Sequence, residues 1–239
     1  MRLDQYLVEN GFYESRNKAK YELEKGNVLV NNVPILKASY DIKENDSVTV
    51  IKENELKYVS KGGLKLERAV IHYNIDVKNK VCLDIGASTG GFTDYLIQNG
   101  AKEVYAVDTG TNQLHESLKN NPKVHSMEKT NFLSMDLSMK DNIDLIVIDV
   151  SFVKLETILE RVIKEFKNVT VVALIKPQFE LGKTFIKNGV VKDPKLHKMV
   201  ISNIKLYIES FNLKPEEVIE SPILGGSGNK EFLISFEIL

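Results

Sequence analysis

Apolar and polar positions along the chain change rhythm near residue 57. Before that point, Arg2 to Leu7 and Ser15 to Leu23 carry apolar residues at helical spacing, with Ser15 placed to cap the second stretch and Gly26 to end it. Asn27 to Val33 predicts a short strand entering an Asn31-Asn32 turn, and Asp46 to Ile51 predicts a later strand. Two helices and a small sheet make a compact α+β module of residues 1–57. The segment Lys52-Glu53-Asn54-Glu55-Leu56-Lys57 is charged and has no clear period, which places the domain boundary there.

From residue 58 to 239, apolar strand-like runs alternate with helix-like stretches. Val81 to Ile85, Glu103 to Val107, Ile143 to Ile148 and Val169 to Ile175 are the strands, the pattern of a parallel sheet wrapped by helices. Glu231 to Leu239 alternates and predicts a terminal antiparallel edge strand. The expected fold class is therefore α/β, a mostly parallel sheet with an antiparallel last strand, preceded by the small α+β domain.

Composition narrows the function classes. A chain of 239 residues that is 43% hydrophobic buries a proper core. Its 32 Lys and Arg against 33 Asp and Glu leave a formal net charge of -1, so any basic surface must be local. One cysteine forms no intramolecular disulfide, and the first residues lack the apolar core of a secretory signal; together they point to the cytoplasm. No apolar run approaches the roughly 18 residues of a membrane helix. His72, His115, His125 and His197 are scattered, so no structural metal is expected. Nothing in the sequence fixes an oligomeric state.

The run from Val81 to Phe92 passes from a buried strand through Gly86, Ser88 and Gly90 into a helix. Glycines let backbone approach a ligand and adopt positive φ. Asp108 ends the next strand, 24 residues after Asp84 (108 minus 84), close to the roughly 20 at which a ribose-binding acid is expected. The pair points to a nucleoside-bearing cofactor. A nicotinamide dinucleotide fits poorly, because Ser88 stands where the second glycine of its fingerprint admits the pyrophosphate. S-adenosylmethionine has no phosphate. Gly86-Ala87-Ser88-Thr89-Gly90 also spells a nucleophile elbow, with Asp149 and His197 in α/β-hydrolase order. No earlier strand of the domain is there to build an oxyanion loop, and His197 falls in a helical stretch.

Five segments carry a resemblance that covers the whole chain: Tyr58 to Leu66, Leu83 to Phe92, Asp149-Val150-Ser151-Phe152, Lys176-Pro177-Gln178-Phe179-Glu180, and Gly228 to Phe232. They resemble the TlyA, or hemolysin A, family of ribosomal RNA 2'-O-methyltransferases. The resemblance implies a Rossmann-like, FtsJ-type catalytic domain behind an RNA-binding domain of the kind found in small-subunit ribosomal protein four. It implies S-adenosylmethionine as cofactor, ribosomal RNA or ribosomal subunits as partner, and a catalytic tetrad at Lys65, Asp149, Lys176 and Glu231. It also implies a 2'-O-methylcytidine product, and the stop at Leu239 directly after the last strand leans to the type acting on the large subunit only.

The chemistry agrees with that placement. Ribose methylation needs the 2'-oxygen in line with the methyl donor and a base for its proton. Lys176 follows an apolar strand, so it belongs at the carboxyl sheet edge where such folds place ligands. Lys65 and burial would favour loss of its proton, and Asp149 as counter-ion would oppose it. Amino-group methylation is disfavoured, because Asp149 is not followed by two prolines and an aromatic residue. Carbon-5 cytosine methylation needs a thiol nucleophile, and Cys82 lies inside a predicted strand.

For the cofactor, the resemblance and the strand logic together assign Asp84, Gly86, Ser88, Gly90 and Asp108, with Asn131 near the adenine where many relatives have an aspartate. Residues 1–57 hold nine Lys or Arg against ten Asp or Glu, so phosphate contacts rest on Arg2, Arg16, Lys18, Lys20 and Lys25 gathering on one side. A solvated face interlaced with Glu14, Glu22 and Glu24 is the competing reading of those cations. A membrane-acting hemolysin, or an RNA-binding factor without activity, is the competing reading of the whole.

Overall fold

The structure, a computed structural model, describes residues 1–24, 26–31, 33–43, 45–51, 57–182, 189–225 and 228–239. The chain divides into two compact units, Met1–Leu56 with Gly225–Gly228, and Lys57–Leu224 with Asn229–Leu239.

The first unit has helices α1 (Leu3–Glu9) and α2 (Arg16–Glu24) and strands β1 (Val28–Val30), β2 (Val33–Pro34) and β3 (Val48–Val50). The strands form an antiparallel sheet ordered β2-β1-β3. The helical spacing brings Leu3, Leu7, Ala19 and Leu23 onto Val28 and Val30, a core of six buried side chains. Ser15 Oγ accepts from the Lys18 amide at 3.2 Å, the N-cap bond its position predicts. Gly26, at φ +69°, turns the chain out of α2.

The second unit is a seven-stranded sheet ordered β6-β5-β4-β7-β8-β10-β9. Its strands are β4 (Val81–Ile85), β5 (Glu103–Val107), β6 (Val124–Met127), β7 (Leu145–Ile148), β8 (Val169–Ile175), β9 (Ile219–Glu220) and β10 (Phe232–Ile238). The five strands from β6 to β8 are parallel, and β10 runs antiparallel to both neighbours. Successive residues alternate between two cores. Cys82, Leu145, Val147 and Val172 face α3 (Gly62–His72) and α4 (Gly91–Gln98). Leu83, Ile85, Ile146 and Ile148 face α6 (Leu155–Glu165) and α8 (Pro194–Glu209). Burial on both faces is why these strands read as continuous apolar runs.

Three sequence expectations change. The last strand is not an edge, because β9 pairs outside it through Phe232 with Glu220 and Leu233 with Ile219. β7 starts at Leu145, since Asp144 turns its carboxylate to the Val81 amide at 2.8 Å. β6 is an added parallel edge; its exposed His125 and Ser126 hid it from an apolar search. The chain enters the sheet at β4, builds outward to β6, then returns to β7 beside β4. That reversal opens a crevice at the carboxyl ends of β4 and β7.

In the first unit, Asp4 is 5% exposed and accepts from Arg2 Nε at 2.9 Å and Arg16 Nη2 at 2.7 Å. Hydrogen bonding from Arg2, with Arg16 beside it and burial opposing, holds its carboxyl well down, at about 2. A carboxyl lowered in the folded state stabilises above its ordinary pKa and loses that contribution as pH falls through the folded value. Asp4→Ala is expected to cost about 1–2 kcal/mol, since it frees two guanidiniums that water can solvate. Hydrogen-exchange protection of α1 and α2 measures this; in the parent, protection should fall between about pH 4 and pH 2, and in Asp4→Ala that step should vanish.

Candidate active site

Four elements converge at the carboxyl edge of the sheet. Lys65 comes from the first half of α3, Asp149 follows β7, Lys176 follows β8, and Glu231 precedes β10. Because β10 is antiparallel, its first residue, Phe232, pairs with Ile175 at the end of β8. The end of the chain thereby delivers Glu231 to the edge reached by β7 and β8.

The side chains form a continuous chain of charges. Glu231 Oε2 accepts from Lys65 Nζ at 2.6 Å. Lys65 Nζ lies 3.9 Å from Asp149 Oδ2, and Lys176 Nζ lies 2.6 Å from Asp149 Oδ1 in an ion pair whose angles fall outside hydrogen-bond geometry. Lys176 Nζ donates to Ser151 Oγ at 2.9 Å. Side-chain exposures are 11% for Lys65, 2% for Glu231, 19% for Asp149 and 11% for Lys176. Burial is the largest single influence on Lys65 and favours its neutral form, but Asp149 and Glu231 together outweigh it, so its pKa is raised. Lys65 is therefore an ammonium at working pH. Lys176 sits in extended backbone before Pro177, which opens the short helix α7 (Pro177–Glu180).

Two adjoining hollows meet here. A smaller one, about 220 Å³, is lined by Lys65, Lys176, Ser60 and Gly62 among others. The larger, about 510 Å³, is lined by Asp108, Gln113, Thr130 and Asn131 at one end and Val150, Phe152 and Val153 at the other. Gly86, Ser88, Asp149 and Ser151 line both. Glu231 lines neither; it stands behind Lys65.

The assigned cofactor residues separate on inspection. Gly86, at φ +89°, passes so close to Asp149 that a Cβ would overlap the Asp149 carbonyl. Asp108 Oδ2 accepts from the Ser88 amide at 2.8 Å and Oδ1 from the Gly110 amide at 2.7 Å, so the acid is fixed at the mouth. Asn131 lines the cleft and its Oδ1 accepts from the Leu133 amide at 3.0 Å. Asp84 and Gly90 line neither hollow. Asp84 is wholly buried, accepts from Thr93 Oγ1 at 2.6 Å, and burial pushes its carboxyl up to about 7. Gly90, at φ +97°, makes room for Leu114 and Leu118 on its far side.

Other sequence candidates fall outside the cleft. His197 is buried with Nε2 3.0 Å from the Val191 carbonyl, which removes the hydrolase triad. Cys82 is buried and its thiol is pushed up to about 12 by burial, so it is no nucleophile. In the first unit, Lys18 pairs with Glu22 at 3.1 Å and Lys20 with Glu24 at 3.9 Å, while Arg2 and Arg16 hold Asp4. Lys25 lies outside the described residues. Ser151, Gln113 and Phe152 are site residues not singled out from sequence. Phe152 is 92% exposed at φ +66°, its ring 4.9 Å from that of Phe179. Ser151 and Phe152 sit inside the Asp149 motif, which was the available signal.

The larger cleft suits S-adenosylmethionine. Its lining holds two carboxylates, Asp108 and Asp149, and no Lys or Arg among the described residues, matching a cationic cofactor without phosphate. The close glycine turn and the acid at the end of β5 give it a nucleoside site. A parallel sheet with that cleft beside a lysine and carboxylate cluster is the architecture of a class of nucleoside-dependent methyltransferases. Residues 58–238 match the FtsJ-like methyltransferase family and residues 1–48 the S4 domain family.

The chain belongs to the TlyA, or hemolysin A, family. It is 42% identical to Hemolysin A of Brachyspira hyodysenteriae over 100% of both chains. It is 35% identical to the 16S/23S rRNA (cytidine-2'-O)-methyltransferase TlyA of Mycobacterium tuberculosis, over 98% of this chain and 88% of the relative. A Streptococcus thermophilus structure, provisionally described as a hemolysin, superposes with a TM-score of 0.76 at 39% identity, covering 100% of this chain and 88% of that one. No helix among the described residues is long and apolar enough to cross a membrane.

The cluster also makes a stability prediction. Glu231→Leu leaves Lys65 buried beside one distant carboxylate, and Lys65→Met leaves Glu231 buried without its cation. Each is expected to cost about 3 kcal/mol in denaturant unfolding, as breaking buried pairs does. The double variant Lys65→Met/Glu231→Leu should cost clearly less than the sum; strict additivity would show that the two charges do not depend on each other.

Proposed function

We propose that this protein transfers the methyl group of S-adenosylmethionine to the 2'-hydroxyl of a cytidine in ribosomal RNA, in the cytoplasm, acting on RNA within ribosomal subunits. The observation that carries the reading is the Lys65, Asp149, Lys176 and Glu231 cluster opening onto a hollow that shares Asp149 and Ser151 with the cofactor cleft. The relative from M. tuberculosis, described by this activity, supports it.

When bound, S-adenosylmethionine supplies an electrophilic methyl group on a sulfonium. Asp108 and the Gly86 turn would hold its nucleoside and methionine portions. Lys176, as the neutral amine once its Nζ has released a proton to solvent, binds the 2'-hydroxyl and takes its proton, steadied by Asp149 Oδ1 and Ser151 Oγ. Lys65, kept charged by Glu231 and Asp149, stabilises negative charge building on the ribose oxygen. Asp149 orients both ammoniums. The first unit, through its S4 match and the exposed Lys18 and Lys20, supplies phosphate contacts to the same RNA.

Lys176→Met should lower single-turnover methyl transfer by about 10²- to 10⁴-fold at saturating cofactor, the usual worth of acid-base help. Lys176→Arg keeps the charge but hardly deprotonates, so it should be equally inactive. Mapping ribose methylation in both ribosomal RNAs, with and without the protein, reads reaction, subunit and nucleotide together. An Arg variant near the parental rate would exclude Lys176 as base, and no missing methylation would exclude the substrate.

Replacing Lys18 and Lys20 together by Ala should weaken RNA binding and make the fall of log K with log salt shallower, by about one in slope for each phosphate no longer neutralised. Arg16 is left in place because it secures Asp4. An unchanged slope would return both lysines to a solvated face paired with Glu22 and Glu24.

A further inference from the structure

Thr109 and Gln113, in the loop that runs on to Leu114, line the cofactor cleft, and one carboxylate organises that loop. Glu128, just past β6, accepts from the amides of Gln113 at 2.7 Å and Leu114 at 3.1 Å through Oε1, and from Asn112 at 3.0 Å through Oε2. Lys119 Nζ donates to the same Oε2 at 3.2 Å. These amides, led by that of Leu114, hold the Glu128 carboxyl well down, at about 2, so it stays ionised at working pH. Asn112, at φ +53°, makes the turn, and the Lys129 amide donates to the Gly110 carbonyl at 2.9 Å.

This bracing decides where one side chain lies. Gln113 lines the cleft, and its amide occupies the space a Cβ on Gly110 would fill. That same position is 3.0 Å from Asp108 Oδ1, the acid at the end of β5. An amide offers both a donor and an acceptor, as the ribose hydroxyls and adenine edge require, and no cation competes for it in the lining among the described residues.

We propose that Gln113 is a binding residue for the adenosyl group of S-adenosylmethionine, seated by the bare face of Gly110, and that Glu128 is its positioning residue. The proposal rests on the cofactor reading above. It adds an adenosyl contact to Asp108 and Asn131 and explains why a half-buried carboxylate accepts from three consecutive amides.

The test is calorimetry on the full chain with S-adenosylmethionine and with S-adenosylhomocysteine. Gln113→Ala should weaken both ligands by about fivefold, the worth of one hydrogen bond, because both carry the adenosyl group. Gly110→Ala, at ordinary φ, displaces chiefly the flexible end of Gln113, with Asp108 Oδ1 the next atom at 3.0 Å, and should act similarly. In a Gln113→Ala background it should add less than about twofold. Glu128→Gln keeps one acceptor and should fall between the parent and Glu128→Ala, with circular dichroism confirming that each variant folds. In turnover, KM for the cofactor should rise much more than kcat falls. Unchanged affinity in Gln113→Ala, or an undiminished Gly110→Ala effect in the double variant, overturns the proposal. Failure of the parent itself to bind would instead overturn the cofactor reading, and the proposal with it.

Discussion

Two ammoniums and two carboxylates share one largely buried corner of this molecule, and removing any single one leaves a neighbour short of its counter-ion. Lys65 and Lys176 flank Asp149, and Glu231 closes the row behind Lys65. The formal sum is zero, which makes burial tolerable; an unpaired charge at 2% exposure would carry a heavy desolvation cost. The members come from α3, β7, β8 and β10, so the cluster forms only when the sheet is complete. The antiparallel insertion of β10 is what lets the last segment of the chain supply the buried acid.

The second constraint is steric and ties that corner to the cofactor cleft. Gly86 runs against the carbonyl of Asp149, while the Asp149 amide donates to the Ile85 carbonyl at 2.9 Å. The loop after β4 and the carboxylate after β7 are thus one rigid piece. Any shift of the glycine turn moves the group that orients both lysines. On the other side, the amides of Ser88 and Gly110 fix Asp108, and the carbonyl of Asp108 accepts from the Thr130 amide at 2.9 Å. Main-chain amides, held partly by carbonyls and partly by the Asp108 carboxylate, therefore set the spacing between the nucleoside end and the reacting end.

What was legible in the sequence follows from these forces. Strands β4 and β8 read with their observed limits because burial on both faces leaves continuous apolar runs; β5 reads with its limits although Glu103 and Tyr105 on one face are only half-buried. β6 and β9 escaped detection: one has two exposed polar residues in four, and the other is two residues long. Without β9, the last strand looked like an edge. The tetrad positions came from family motifs, since charges contributed by four distant segments have no local signature. Within the glycine run, motif spacing does not say which way a residue faces. Gly86 and Ser88 turn to the cleft, while Gly90 turns to Leu114 and Leu118. Asp84 points into the core, where Thr93 takes one oxygen and burial raises its pKa. Glu128 carried no sequence signal, because its partners are main-chain amides that leave no mark in the sequence.

Charge is distributed so that the two reactants sort themselves. The cofactor cleft presents Asp108 and Asp149, which attract a sulfonium and a ribose and repel a phosphate chain. The adjoining hollow presents Lys65 and Lys176, which favour a polyanion's sugar-phosphate edge. Asp149 belongs to both linings and sits at the border between them. A whole-chain charge of -1 conceals this arrangement, because the opposing fields lie side by side and cancel in the sum. The border carboxylate has one oxygen toward each lysine, so loosening either ion pair changes the field on both sides at once. Positioning and charge selection are consequently inseparable at Asp149. A neutral amide there would keep the shape of the site but lose the distinction between its two halves.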